Sequence, residues 1–532
     1  MSQLHWRLMT LFVGLAVVLL SAATASIAEA TDAKFDAELK DADRNYPVFV
    51  RMSDQLIGKA GDYEKFCAEN QKKKRGELRP VVLKALRDKS DASWKKLAAE
   101  LEKLTKDGQI NNLERFWIVN GFACEATGKA CQQLAASEHV SFVYLQRGPL
   151  RQHANAAKKQ PPLEQQRKVY EQVVKDWQDD SNEAFSTDGL EIPWNLKRIQ
   201  ADAVWKDEKV TGKGVVVALS DSGIMTAPSL VRALWKNPKE ELDGKDNDDN
   251  GYADDLFGYD FAAQSFYALG DSATMPHGSM CAGIIAGRPL NSKKLVTGIA
   301  PRARLMMLRG MDYLKAYEYA LANGADVLSM SYMWVNMDLG NYRGVYRTAH
   351  EHLAAGGVVS VGGAGNFSQL GKGKQIALPK DIPCVIAAAG IVEDGSKAPA
   401  SSEGPCNWDG VKFYDDYPEA KPLQKPDVTG IFGGYPVWGR PQLPNKVWKI
   451  FSNEGDNFAL VIGPQGNSFS GPHAAGVAAL MFSANPELNA WEVKSLMEET
   501  CKDIGEKGRD TTFGAGLLQA LDAVRAAKKV KK

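Results

Sequence analysis

The sequence predicts an α/β protein, a parallel β-sheet covered by helices on both faces, preceded by a small α+β domain. Three observations predict it. Beyond residue 187, β-rich apolar runs (Val215 to Leu219, Val327 to Met330, Val358 to Val361, Val385 to Ala389) alternate with helical patterns such as Tyr313 to Ala322. That order places parallel strands under helices. Between residues 45 and 148, strand and helix patterns follow one another on a smaller scale. The full 532 residues also exceed what one ordinary core holds, so two or three folding units are expected.

Taken in order, residues 1–30 read as an export signal: Arg7 supplies the positive end, Leu11 to Leu20 are apolar, and Ala28-Glu29-Ala30 is a small-x-small cleavage pattern. That apolar run falls short of the roughly 20 residues needed to cross a bilayer, so no stable membrane span is expected and the product is secreted or periplasmic. In the small domain, residues 45–148, Pro47 to Met52 read as a strand. Asp91 to Leu104 place Trp94, Leu97, Ala98, Leu101 and Leu104 on one helical face. Phe116 to Val119 return to strand, Lys129 to Ala136 suit a short helix, and Val140 to Leu145 close with a strand. The basic run Lys72 to Arg75 reads as a solvated turn before a helix rather than a nucleic-acid patch. Residues 149–186, rich in Gln, Lys, Asp and Asn around Pro161-Pro162, read as a linker with some helix near Val169 to Trp177. The sheet domain then runs over 187–528.

Composition excludes some classes. With 65 basic and 65 acidic residues, 44% hydrophobic and 24% charged, the chain suits neither a nucleic-acid coat nor a disordered tail. Seven cysteines in an exported chain permit disulfides, and one must stay unpaired. Cys124 with Cys131 and Cys384 with Cys406 are the nearest couples, but spacing does not fix pairing.

Three segments carry chemistry. Val215 to Leu219 end on Ser220-Asp221-Ser222-Gly223, which puts a carboxylate at the carboxyl end of a parallel strand, where such sheets keep their sites. His277-Gly278-Ser279-Met280-Cys281-Ala282-Gly283 would let a helix starting at the histidine pack close to the sheet. Gly466-Asn467-Ser468-Phe469-Ser470-Gly471-Pro472-His473 sets a serine in the first turn of a small-residue helix, where backbone N–H groups and the helix dipole favour negative charge. A serine hydroxyl needs a histidine to take its proton, and that histidine needs a carboxylate to hold its tautomer. The segments supply one of each, in the order Asp221, His277, Ser468.

Around these segments, from about Trp194 to Ala523, the chain resembles the subtilase family. Thr211-Gly212-Lys213-Gly214, Gly298-Ile299-Ala300-Pro301, Asn323 to Ser331 and Lys425-Pro426-Asp427-Val428 are similar to its recurrent stretches. The resemblance implies a subtilisin-like serine endopeptidase acting on polypeptides, with Asn366 of Gly363-Ala364-Gly365-Asn366 donating to the oxyanion. It further implies a substrate cleft along Ser331, Tyr332, Gly363, Ala364 and Gly365, and no cofactor for the chemistry. Met333 stands where the family commonly has Gly, which narrows the cleft. Two other classes compete: a catalytically silent binding protein of the same fold, which would normally have lost one of these residues, and a lipase, whose Gly-x-Ser-x-Gly elbow is broken at Ser470. His473 resembles a packing element, Cys281 a buried thiol, and His350 and His352 lack zinc-ligand spacing.

The 45–148 segment resembles, more loosely, the ferredoxin-like propeptide that inhibits subtilases within the same chain; this implies a zymogen. Between the Asp and His segments, nine acidic residues from Glu240 to Asp260 face one lysine. Asp246-x-Asp248-x-Asn250-Gly251 matches the opening of an oxygen-ligand calcium loop, although Phe257 stands where an EF-hand needs Glu. A structural calcium held by Asp246, Asp248 and Asn250, with Asp254 or Asp255 folding back, is expected there.

Overall fold

The computed structural model describes residues 34–147, 160–180, 183, 185–270, 276–290, 294–310, 314–442, 448–455 and 457–532. The expected export signal and part of the linker lie outside them. The chain divides into two compact units: the first holds residues up to Asp54, Ser90–Arg115 and Asn120–Gln146, the second Gln55–Lys89, Phe116–Val119 and Arg147 onward.

In the first unit, β1 (Asn45–Met52), β2 (Ile110–Phe116), β3 (Gly121–Thr127) and β4 (Val140–Leu145) form a sheet in the order β2-β3-β1-β4. β1 pairs antiparallel with both β3 and β4. With helices α1 (Arg75–Lys106) and α2 (Gly128–Ala136), this is the ferredoxin-like arrangement. The pleat and the helical stripe converge on one core: Val48, Val50 and Met52 of β1 meet Leu97, Leu101 and Leu104 of α1 and Leu134 of α2. Alternate residues of a strand share a face and every third or fourth residue of a helix shares a stripe, so these spacings build a single apolar layer.

Three details differ from the sequence reading. Helix α1 begins at Arg75, because Leu78, Val82 and Leu86 extend its buried stripe. Trp117, Ile118 and Val119 form the turn between β2 and β3, not a strand; both the Trp117 and the Ile118 N–H groups donate to the buried carboxylate of Glu318. The basic run is a solvated turn only in part: Lys72 and Lys73 are exposed just before α1, but the next two residues are engaged. Arg75 pairs with buried Asp326, and Lys74 with Glu487 at 2.6 Å.

In the second unit, β5 (Val216–Asp221), β6 (Gly258–Asp260), β7 (Arg304–Arg309), β8 (Val327–Met330), β9 (Val359–Gly363), β10 (Ile386–Ile391) and β11 (Val428–Ile431) form one sheet in the order β11-β10-β9-β8-β5-β7-β6. All its pairs are parallel. β8, β9 and β10 are buried throughout, as strands covered on both faces must be. The covering helices include α3 (His277–Ala286), α4 (Leu314–Ala322), α5 (Arg343–Ala355) and α6 (Asn467–Ala484). Strand order reverses at β5, with β7 on one side and β8 on the other, and such a switch point opens a crevice at the carboxyl ends. All seven cysteines are free thiols, so neither candidate disulfide forms. No helix among the described residues is long and apolar enough to cross a membrane.

Candidate active site

Asp221 is the last residue of β5 and is buried. Its Oδ1 accepts from the Ser222 N–H at 2.7 Å and from His277 Nδ1 at 2.8 Å. The close approach depends on Gly278: a Cβ there would lie 2.1 Å from the Gly223 carbonyl oxygen, so only glycine lets α3 start against the end of β5. An ionised carboxylate can only accept, so Nδ1 carries the proton and Nε2 is left to act as a base. Burial disfavours the imidazolium, but the Asp221 carboxylate more than offsets it, and the His277 pKa stands above its ordinary 6.5. The same pairing, against burial, holds Asp221 below the usual carboxylate range.

Ser468 is the second residue of α6, so its N–H is among the four that have no acceptor within the helix. Its carbonyl accepts from Ser331 Oγ at 2.9 Å and from Cys281 Sγ at 3.4 Å. Cys281 lies one turn along α3 from His277, and the Phe469 ring stacks on the His277 ring with centroids 6.2 Å apart. These contacts bring the serine to the histidine's side of the crevice. The Ser468 hydroxyl makes no direct hydrogen bond to His277 among the described residues. Packing sets α6 against the sheet: a Cβ on Gly363 would lie 2.0 Å from the Asn467 carbonyl oxygen, and one on Gly471 would lie 2.6 Å from Gly363 N.

Asn366 follows β9. Its Oδ1 accepts from the Asn467 N–H at 2.8 Å. A backbone N–H can only donate, which fixes the amide and turns Nδ2 the other way. A pocket of about 100 Å³ is lined by Ser468, Asn366, Ser331, Tyr332, Gly363 and Gly365, with Met333 and Phe367. Ala364, expected in the cleft, is instead fully buried in a cluster with Ile376, Ala387 and Cys406. Lys380 went unnoticed in the sequence: it is buried, and its ammonium donates to the Tyr332 carbonyl and lies 4.7 Å from the Tyr332 ring centroid. Nothing in its local spacing marks it.

Residues 212–516 match the model of the subtilase family. The chain belongs to that family. A calcium-dependent protease of Trichormus variabilis (strain ATCC 29413 / PCC 7937) is 28% identical over 47% of this chain and 40% of its own length. Bacillopeptidase F of Bacillus subtilis (strain 168) is 24% identical over 85% of this chain and 29% of its own. Among solved structures, fervidolysin from Fervidobacterium pennivorans, a keratinolytic enzyme related to subtilisin, superposes with a TM-score of 0.51 at 18% identity, covering 91% of this chain and 61% of the other. The subtilase described here thus spans less than half the length of both bacterial relatives.

In this subtilase's acidic insert, Glu240, Asp246 and Asp248 each bring a carboxylate oxygen within 4.8 Å of the others. Glu240 Oε2 and Asp248 Oδ1 are buried and have no hydrogen-bond partner. Burial raises the Glu240 pKa to about 7, with Asp255 and Asp248 adding to the shift. Three converging carboxylates, two of them with an unmatched buried oxygen, fit a hard dication. Asp246 also accepts from the Asn250 and Gly251 N–H groups, and the other expected ligands carry hydrogen bonds of their own. Asp254 accepts from Arg167 at 2.9 Å and from the Gly244 N–H at 2.8 Å. Asp255 accepts from Asn237, Asn250 and Tyr319, and Asn250 Oδ1 from the Tyr252 N–H. Glu240 precedes the loop whose spacing is legible, so the sequence does not mark it as a candidate ligand.

The other histidines singled out in the sequence, His350, His352 and His473, are buried and have packing roles. His473 bonds the Phe469 carbonyl at 2.8 Å and Asn195 at 3.0 Å, and burial lowers its pKa to about 4. His350 meets Ser360 Oγ at 3.0 Å, and His352 accepts from the Ile57 N–H at 2.9 Å.

Proposed function

We propose that this subtilase is an exported serine endopeptidase, made as a zymogen, that cleaves polypeptides through an acyl-enzyme on Ser468. The observation that carries the reading is the 2.8 Å Asp221–His277 hydrogen bond, set beside the pocket that Ser468 and Asn366 line. In this reading His277 Nε2 takes the Ser468 proton as Oγ attacks the substrate carbonyl. Asp221 stabilises the resulting imidazolium. The oxyanion receives hydrogen bonds from Asn366 Nδ2 and the Ser468 N–H. His277 then returns its proton to the departing amine, and water, deprotonated by the same base, releases the acyl group. The peptide lies along Ser331, Tyr332, Gly363 and Gly365.

No cofactor is needed for these steps. Glu240, Asp246 and Asp248 would hold a structural calcium, which supplies charge compensation to the insert. The printed name of the calcium-dependent relative supports this.

The zymogen reading rests on the ferredoxin-like unit and on the linker that follows it, and export on the features of residues 1–30. Wild-type chain should shorten itself within the linker between about Gly148 and Pro193, while Ser468→Ala remains uncut after signal removal. A protease-free Ser468→Ala preparation that still accumulates the shortened form contradicts self-processing.

A further inference from the structure

The pocket beside Ser468 has a neighbour. A cavity of about 610 Å³ is lined by Trp334, Ile376, Ala377, Leu378, Asp381 and Cys406, among others. The smaller pocket, about 100 Å³, has Met333 in its lining. Met333 also contacts residues of the larger cavity's lining. Its sulfur accepts from the Ala377 N–H at 3.4 Å, and its side chain packs against the cluster that contains Ile376 and Cys406. Ala377, Ile376 and Cys406 all face the larger cavity. Met333 thus lines the smaller pocket, and its sulfur meets a residue that lines the larger cavity.

Asp381 and Arg343 both line the larger cavity. Asp381 is buried, its Oδ2 accepts from Arg343 at 2.8 Å, and its Oδ1 has no hydrogen-bond partner. The larger cavity thus offers room and an unmatched carboxylate oxygen.

We propose that Met333 sets which side chain is accepted on the acyl side of the cleaved bond, by sealing the short pocket at Ser468 from the cavity behind it. Short aliphatic and small polar side chains enter; aromatic rings and long cations are refused, because seating them requires displacing a packed, hydrogen-bonded methionine. Hydrophobic pockets discriminate by roughly 10- to 200-fold for each methylene that does not fit. Removing the Met333 side chain would join the two spaces. An aromatic ring then fills the cavity, and a lysine side chain reaches toward Asp381. The proposal rests on the peptidase reading and gives that site its substrate class.

The test is a series of chromogenic peptides that differ only in the residue before the cut (Ala, Val, Phe, Lys), assayed with the activated full chain and with Met333→Gly. In parallel, Ser468 is titrated with a fluorophosphonate. Wild type should favour Ala and Val over Phe and Lys by about tenfold or more in kcat/KM, and Met333→Gly should reverse the Ala-to-Phe ratio by about tenfold or more. Should Met333→Gly fail to fold, the wild-type series and Met333→Ala carry the same comparison. Titrated wild-type enzyme that cuts after Phe as fast as after Ala overturns the partition alone. A wild-type chain whose Ser468 does not react overturns the peptidase reading and this inference with it.

Discussion

The Asn467 N–H donates to Asn366 Oδ1 at 2.8 Å, so the residue just before Ser468 aims the amide of a residue in the loop after β9. One hydrogen bond thereby couples the start of α6 to the end of β9. Asn467 is itself fastened: its Nδ2 donates to the Gly365 carbonyl at 2.7 Å and to Ser401 Oγ at 3.0 Å. In the proposed mechanism, the donor to the oxyanion is held by the backbone that presents the serine.

Asn366→Ala should therefore lower kcat by about 100- to 1000-fold with little change in KM, since its contact forms only as charge develops. Steady-state kinetics on one peptide substrate check this. A rise in KM with kcat intact would make Asn366 a ground-state binding residue.

The pH profile should follow His277. Its pKa is raised above 6.5, and only the neutral imidazole accepts the Ser468 proton. As pH falls through the raised pKa the base is lost. The acid limb of kcat/KM for the free enzyme should lie on the alkaline side of 6.5. A limb at or below that value contradicts the coupling to Asp221.

Calcium should stabilise the fold, more so at higher pH. Glu240 has a folded pKa of about 7, above its ordinary 4.5, so without a cation its contribution is fully present below 4.5 and lost as pH rises through 7. A bound dication compensates the ionised form. The rise in Tm on adding calcium should be larger at pH 8 than at pH 5, and should largely vanish in Glu240→Gln/Asp248→Asn. An unchanged response in that variant places any ion elsewhere.

Asp427 should be a pillar of acid stability. Buried, it receives Lys425 Nζ and Lys494 Nζ, both at 2.6 Å, and Arg509 at 3.3 Å. Burial favours its neutral form, but these cations prevail and its pKa is depressed. The stability it contributes is present above the ordinary carboxylate value and lost as pH falls through the folded one. Asp427→Ala strands Lys425, which is wholly buried, and should cost about 3–5 kcal/mol in denaturant unfolding. A loss below about 1 kcal/mol would show that the cations find other partners.

What was legible in the sequence was local. Each of Asp221, His277 and Ser468 sits in a short motif whose element end can be read from its neighbours, and the β-α alternation gave the sheet. The pocket behind Met333 was not legible, because Ile376, Ala377 and Cys406 are brought together by separate loops. Glu240 and Lys380 act through contacts that no spacing encodes. The β2–β3 turn was misread because Trp117 to Val119 have strand propensity that the Glu318 carboxylate overrides by taking two of their backbone donors.

The most direct measurement is site-specific labelling by a fluorophosphonate, with the modified residue located by peptide mass spectrometry. The account predicts that the activated chain is labelled at Ser468 alone, that His277→Ala reduces the rate by orders of magnitude, and that Ser468→Ala abolishes labelling. Labelling at another serine, or none in wild-type chain that is folded and processed, would contradict it.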